Sequence, residues 1–287
     1  MIENSAAVIC HAFLNKLPPK EHNALLRHLF DEQAHQLNQL KQPAEDPTQG
    51  ISPLEDELLH VHYSWLTPFL RSLPESDIKL FMSCLSEEQV QDLKRALLYS
   101  NHLPARSPLG EIFFKKTLFS YLQGQTKLLP LECLPTSPLN LLLYQTPTQL
   151  RNLIDLLSMH DLAAEIRHII DTTKLKQIYA HLSPAQTTFL KTLIHKKEPV
   201  TFKKMGLTKW DGRMETLATI LEQRGINRIA KALFAEDPSL TWYIAHRLDI
   251  QRGSTLLKLC TALDHPQAAY LLSEQVIALI QSQHNHT

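Results

Sequence analysis

Three observations predict an all-α protein of stacked short helices. Leucine supplies 52 of the 287 residues and valine only 5; leucine keeps most of its rotamer freedom in a helix, whereas valine suits strands. Glycine, with 7 residues, makes up about 2 % of the chain against a usual ~7 %, which disfavours tight hairpins and glycine-cradled phosphate sites. The third observation is a repeat. Leu14, Leu17, Pro18, Leu29, Gln33 and Leu37 return without a gap as Leu70, Leu73, Pro74, Leu85, Gln89 and Leu93, and Asp31-Glu32 matches Glu87-Glu88. Each copy reads as a helix ending at Leu-Pro, a short amphipathic helix, an acidic turn and another helix start. One such unit cannot bury its own apolar face, so it needs a stacked neighbour. The stretch 182–194 reads as a degraded third copy, carried by Leu182, Phe189, Leu190, Leu193 and Ile194.

Taken in order, residues 3–40 read as two helices parted at Leu17-Pro18-Pro19, and 41–52, with two prolines and a glycine, as a linker. Ser52-Pro53-Leu54-Glu55, Thr146-Pro147-Thr148-Gln149 and Ser183-Pro184-Ala185-Gln186 share one device. A hydroxyl caps the helix, proline takes the first helical position, and a carboxylate or amide three residues after the hydroxyl reaches back. From Ser52 one helix is expected through His60, Tyr63 and Trp65, kinked at Pro68 and ended by Leu73-Pro74. Helices follow near 75–84, 87–101 and 108–123. Residues 124–138, with three prolines and no helical period, are expected to link an N-terminal domain, 1–123, to a C-terminal domain, 139–287. In the second half the pattern predicts helices near 139–144, 147–158, 161–170, 173–182, 184–196, 210–224, 226–235, 238–248, 251–262 and 266–281. Residues 198–209 are the one candidate for extended chain.

Composition narrows function. Lys plus Arg and Asp plus Glu both number 29, so bulk electrostatic capture of nucleic acid is not the design. Cys10, Cys84, Cys133 and Cys260 lie far apart among leucines and alanines and read as buried, reduced thiols. The N-terminus lacks a basic start, no apolar run is long enough to span a bilayer, and a cytoplasmic location is expected. No HExxH, Cys/His cluster, GxSxG, P-loop or GxGxxG pattern occurs, so no metal, cofactor or catalytic residue is expected.

Two stretches remain as candidate sites. Between Lys191 and Arg213, Lys196, Lys197, Lys203, Lys204 and Lys209 add to a basic segment with Phe202 and Trp210 interleaved. It reads either as a surface for nucleic acid, anionic lipid or an acidic partner, or as a solvated loop whose rings anchor it to the core. The other is Asp264-His265-Pro266-Gln267, which opens the leucine-rich last helix. An exposed imidazole and amide beside free helix N–H groups would give directional contacts to a partner.

This second motif resembles the Glu-His-Pro-Gln motif that opens a helix in the middle domain of the FliG family of flagellar rotor proteins. SLPESDIKLFMSCLSEEQ is similar to that family's short stacked helices. The resemblance implies docking to other proteins, secretion or switch-complex components, at Asp264, His265, Pro266 and Gln267. Asp264 stands where the family has Glu, and the motif lies near the C-terminus. A secretion-associated scaffold is therefore implied rather than a rotor, with the cytoplasmic face of the inner membrane a compatible location. The expectation is a non-enzymatic adaptor of a type III secretion or flagellar-type cytoplasmic complex; its rival is nucleic-acid binding through Lys191–Arg213.

Overall fold

The structure, a computed structural model, describes residues 5–29, 31–40, 51–105, 107–207, 210–263 and 267–284, and these are all-helical with no strand. Fourteen α-helices are described: α1 Ser5–Asn15, α2 Pro19–Leu26, α3 Asp31–Gln39, α4 Thr67–Arg71, α5 Glu75–Met82, α6 Glu87–Leu97, α7 Pro108–Gln123, α8 Pro147–Ile166, α9 Thr172–Ala180, α10 Pro184–Leu193, α11 Met214–Leu233, α12 Pro238–Arg247, α13 Ile250–Leu259 and α14 Ala268–His284. Among the described residues no helix is long and apolar enough to cross a membrane.

The repeat seen in the sequence recurs in the helix boundaries. α1 ends at Asn15 and α4 at Arg71; α2 and α5 occupy matching positions; α3 begins at Asp31 and α6 at Glu87. Leu14 and Leu37 are buried in the first copy, as Leu70 and Leu93 are in the second. Pro18 and Pro74 sit at the same helix start, because proline fixes φ and the missing N–H is not needed there. The degraded copy keeps the first two elements, α9 ending at Ala180 and α10 starting at Pro184. Residues 3–40 thus hold three helices rather than two.

Two of the three expected caps form. The hydroxyls of Thr146 and Ser183 accept from the N–H groups of Gln149 and Gln186, whose side chains accept in return from the cap N–H groups. Ser86 and Gln89 make the same reciprocal pair without a proline. Ser52 does not: its N–H donates to Glu132 Oε1 at 3.2 Å, and the expected helix from Ser52 is replaced by two 3-10 turns, Leu54–His60 and Tyr63–Trp65, before α4. The reason is tertiary. The buried Gln89 amide donates to the carbonyls of Leu58 and Val61 at 2.6 and 2.7 Å, and His62 N–H donates to His246 carbonyl at 2.8 Å. Backbone groups held by distant partners cannot close the i→i−4 ladder.

Three apolar clusters make the interior. The first joins α8, α11, α12, α13, α14 and the 3-10 turn Pro138–Tyr144 around Ile154, Leu157, Ile229 and Leu272. The second holds Leu58, Leu66, Leu70, Met82, Leu93, Leu118 and Phe119, together with Trp242 and Tyr243 from α12. A third gathers α9, α10 and the facing stretches of α8 and α11. Residues 124–138 are fastened to α12, since Tyr243 Oη donates to Leu129 carbonyl at 2.6 Å and Leu129 N–H to Ser239 Oγ at 3.0 Å. Of the cysteines, Cys84 is buried, Cys133 and Cys260 half-buried and Cys10 exposed. The expectation of four buried thiols holds for Cys84 alone; Cys10 lies on α1, which packs against α3, and Cys133 and Cys260 sit at the ends of short helical segments.

Helices α8 and α11 are each single where the pattern suggested two. Their interface explains the glycine inside α11: a Cβ on Gly225 would lie 1.9 Å from the carbonyl oxygen of Ile154. Only a missing side chain lets the two backbones approach so closely, and the burial won offsets glycine's poor helix propensity. Gly225→Ala is expected to force α8 and α11 apart and to destabilise by about 3 kcal/mol. Gly110→Ala in α7, where the nearest side-chain atom would be 3.5 Å away, should be neutral or stabilising by up to ~1 kcal/mol. Urea unfolding of the two variants measures both.

Candidate functional site

The basic segment is held by buried acids of α8, leaving its lysines outward. Arg228 on α11 is fully buried, with 0 % exposure. Its guanidinium donates to Asp161 of α8 at 2.7 and 3.3 Å, to Glu198 at 3.0 Å, to Gln275 of α14 at 2.7 Å and to Val200 carbonyl at 3.2 Å. Glu198 also accepts from Gln275 at 2.6 Å and lies 2.8 Å from His160 Nδ1. A turn beyond Asp161 on α8, the buried Glu165 carboxylate accepts the N–H groups of Met205, Gly206 and Leu207 at 3.1, 3.1 and 3.2 Å. Gly206 has φ +77°, the left-handed turn that aims three successive N–H groups at one anion.

Phe202 therefore lies over Arg228, 5.4 Å from guanidinium carbon to ring centroid. Trp210 is buried against His181, with its Nε1 donating to Arg213 carbonyl. Both rings face the interior. Lys196, Lys197, Lys203, Lys204 and Arg213 are exposed, Arg213 lying 3.6 Å from Asp211; Lys209 lies outside the described residues. Residues 198–207 are irregular rather than extended strand, since their polar groups are taken by α8 and α11 and no second strand accompanies them.

Of the four residues expected at the head of the last helix, Asp264, His265 and Pro266 lie outside the described residues. Gln267 is exposed in the turn just before α14, and its carbonyl accepts from Leu271 N–H at 3.1 Å. The leucines behind it turn inward as expected: Leu272, Val276, Leu279 and Ile280 are all buried.

Two features escape the sequence reading. The first is an exposed apolar stripe on α7. Leu109, Ile112 and Phe113 are 81 %, 52 % and 61 % exposed, while the opposite side places Phe114 against Phe81 at 4.9 Å and buries Leu118 and Phe119. The succession Ile112-Phe113-Phe114 carries this signal, because consecutive helical residues cannot share one inward face.

The second is a cleft of about 590 Å³ between the 3-10 turns at 54–65, α6, residues 140–147 and the end of α12. His60, His62, Glu88, Asn140, Gln145 and Arg247 are among its walls. Arg247 is itself 9 % exposed and donates through Nη1 to Leu143 carbonyl. Burial holds its guanidinium below the usual arginine range, with Glu57 countering from outside ion-pair distance. Behind Arg247, the His246 ring is stacked between Trp242 and Trp65, with centroids 3.7 and 4.1 Å away. Trp65 Nε1 donates to Leu248 carbonyl at 2.9 Å, so the stack ties the 3-10 turns to α12.

The chain matches no protein-family model, no curated protein and no solved structure.

The two polar centres titrate in adjoining windows. Burial pushes the His246 imidazole down to about 4, only partly countered by its hydrogen bond to Trp242 carbonyl. The unfolded chain then binds a proton near pH 6.5 that the folded chain refuses, so stability falls as pH drops from about 6.5 to 4, by up to ~3 kcal/mol. Burial raises the Glu198 carboxyl, but the His160 hydrogen bond, the Arg228 charge and Gln275 outweigh it and bring it to about 2. Its contribution is complete above about pH 4.5 and lost toward pH 2. Unfolding measured from pH 7 to 2 should fall across both windows. His246→Phe, which keeps a ring in the stack, should flatten only the upper one.

Proposed function

We propose that this protein is a non-enzymatic adaptor, and that a partner docks on the first two turns of α7. The supporting observation is the stripe Leu109, Ile112 and Phe113, spaced to share one helix face and left uncovered among the described residues. The inner side of α7 already supplies the core with Phe114, Leu118 and Phe119, so the fold has no use for a second apolar stripe. Contiguous exposed apolar surface of this kind serves association, and an amphipathic partner helix is its natural complement. The assembly we propose is a cytoplasmic complex of the type III secretion or flagellar kind, on the strength of the resemblance at Asp264–Gln267.

A second reading, nucleic-acid binding, draws on the exposed Lys196, Lys197, Lys203, Lys204 and Arg213. It is the weaker because Phe202 and Trp210, the rings that would stack on bases, are used inside the protein.

Leu109→Ser combined with Phe113→Ser is expected to abolish capture of the native partner while shifting the melting temperature by no more than ~2 °C. Capture by the unmodified chain should change little between about 50 and 200 mM salt, the range in which phosphate binding collapses. Retardation of DNA or RNA that falls steeply with salt and disappears in Lys203→Ala/Lys204→Ala would replace the adaptor reading.

A further inference from the structure

The cleft beside α12 holds a buried charge that the fold leaves short of partners. Arg228, the other buried arginine among the described residues, makes five hydrogen bonds and two ion pairs. Arg247 is nearly as deep, yet among the described residues no carboxylate lies within 4.0 Å of it and its hydrogen bond goes to Leu143 carbonyl. Glu57 offsets the burial only from a distance, and a buried guanidinium with one neutral acceptor is costly, because its remaining N–H groups have lost water without a paired anion in exchange. Asn140 lines the same cleft. Its Nδ2 donates to Pro135 carbonyl at 3.0 Å, while its Oδ1 is buried with no hydrogen-bond partner among the described residues. That oxygen is closed off from the cleft, so what the cavity wants is an anion at Arg247.

The remaining wall restricts what can supply that anion. Glu88 is exposed on the α6 side of the cleft, and Asp92 beside it is paired with Arg95 at 2.5 Å. A phosphate-rich polyanion would meet these acids, whereas a singly charged carboxylate matches the planar guanidinium two-to-two. A ligand that also carries a positive group would gain from Glu88. The volume, about 590 Å³, falls in the range of small-ligand clefts, and Tyr63, Leu131 and Leu143 provide apolar contact.

We propose that this cleft binds a short free peptide. Its C-terminal carboxylate accepts from Arg247, and its α-ammonium faces Glu88. This site is separate from the α7 surface and does not depend on the adaptor reading.

The test is calorimetric titration of the full chain with leucyl-leucine, N-acetyl-leucyl-leucine, leucyl-leucinamide and inorganic phosphate. Leucyl-leucine is expected to bind most tightly, the acetylated acid several-fold more weakly, and the amide at least tenfold more weakly. Glu88→Gln, an exposed substitution, should erase the difference between the free and acetylated dipeptides while keeping the preference for acid over amide. Arg247→Gln should erase that preference; should this variant not fold, the acid–amide comparison on the unaltered chain decides. Equal binding of acid and amide, no binding of any dipeptide at millimolar concentration, or tighter binding of phosphate than of leucyl-leucine would each overturn the proposal.

Discussion

A buried guanidinium sets the arrangement of the C-terminal helices. Arg228 reaches the centre of the helix packing with no exposure, and such a charge is tolerated only when anions and acceptors surround it. Those partners come from α8, from the segment after α10 and from α14. Satisfying one side chain therefore fixes three elements relative to α11. The approach of α8 to α11 at Gly225 belongs to the same constraint, since Asp161 lies two turns along from Ile154 on the helix that Gly225 lets in. Apolar packing supplies most of the driving force for association, but it is non-directional and tolerates alternatives. The guanidinium fork is directional, so it selects one register among them.

The same logic operates where the halves of the chain meet. Trp65 and Trp242, 177 positions apart in the sequence (242 − 65), sandwich His246, and the His62 backbone N–H and the Trp65 indole N–H donate to the carbonyls of His246 and Leu248. These bonds hold residues 54–65 in 3-10 turns and so open a cleft between them and α12. A continuous helix from Ser52 would have satisfied its backbone internally and had no carbonyls to offer Gln89. The second repeat copy is thus more than a copy: its Gln89 grips the preceding turn through Leu58 and Val61.

The basic segment shows how one composition can carry two roles. Its lysines reach solvent, while Phe202 lies over Arg228, Trp210 packs against His181 and three backbone N–H groups face an acid on α8. Glu165 holds three consecutive N–H groups around Gly206 and Asp161 acts through Arg228. Both acids sit on a helix face otherwise lined by Leu157, Leu162 and Ile166. A charged residue inside an apolar stripe is the signal that could have found this network in the sequence; Arg228, in step with Leu221 and Gly225 on α11, carries it as well.

By itself the sequence determined the helical class, the boundaries at Thr146, Ser183 and Pro108, and the repeat whose helix ends recur in both copies. These features rest on contacts three or four residues apart, on φ restricted by proline and on the side-chain period of a helix, all of which neighbours in the chain decide. Tertiary structure alone decided that α8 and α11 are unbroken, that 54–65 is not a regular helix, which side of the basic segment faces inward, and that Arg247 ends in a cleft. Each of these depends on a partner distant in the chain: a carbonyl that accepts from Gln89, an anion for Arg228, a backbone that leaves room only for glycine. Local pattern cannot encode the distance of such a partner; the closed packing of the whole chain sets it.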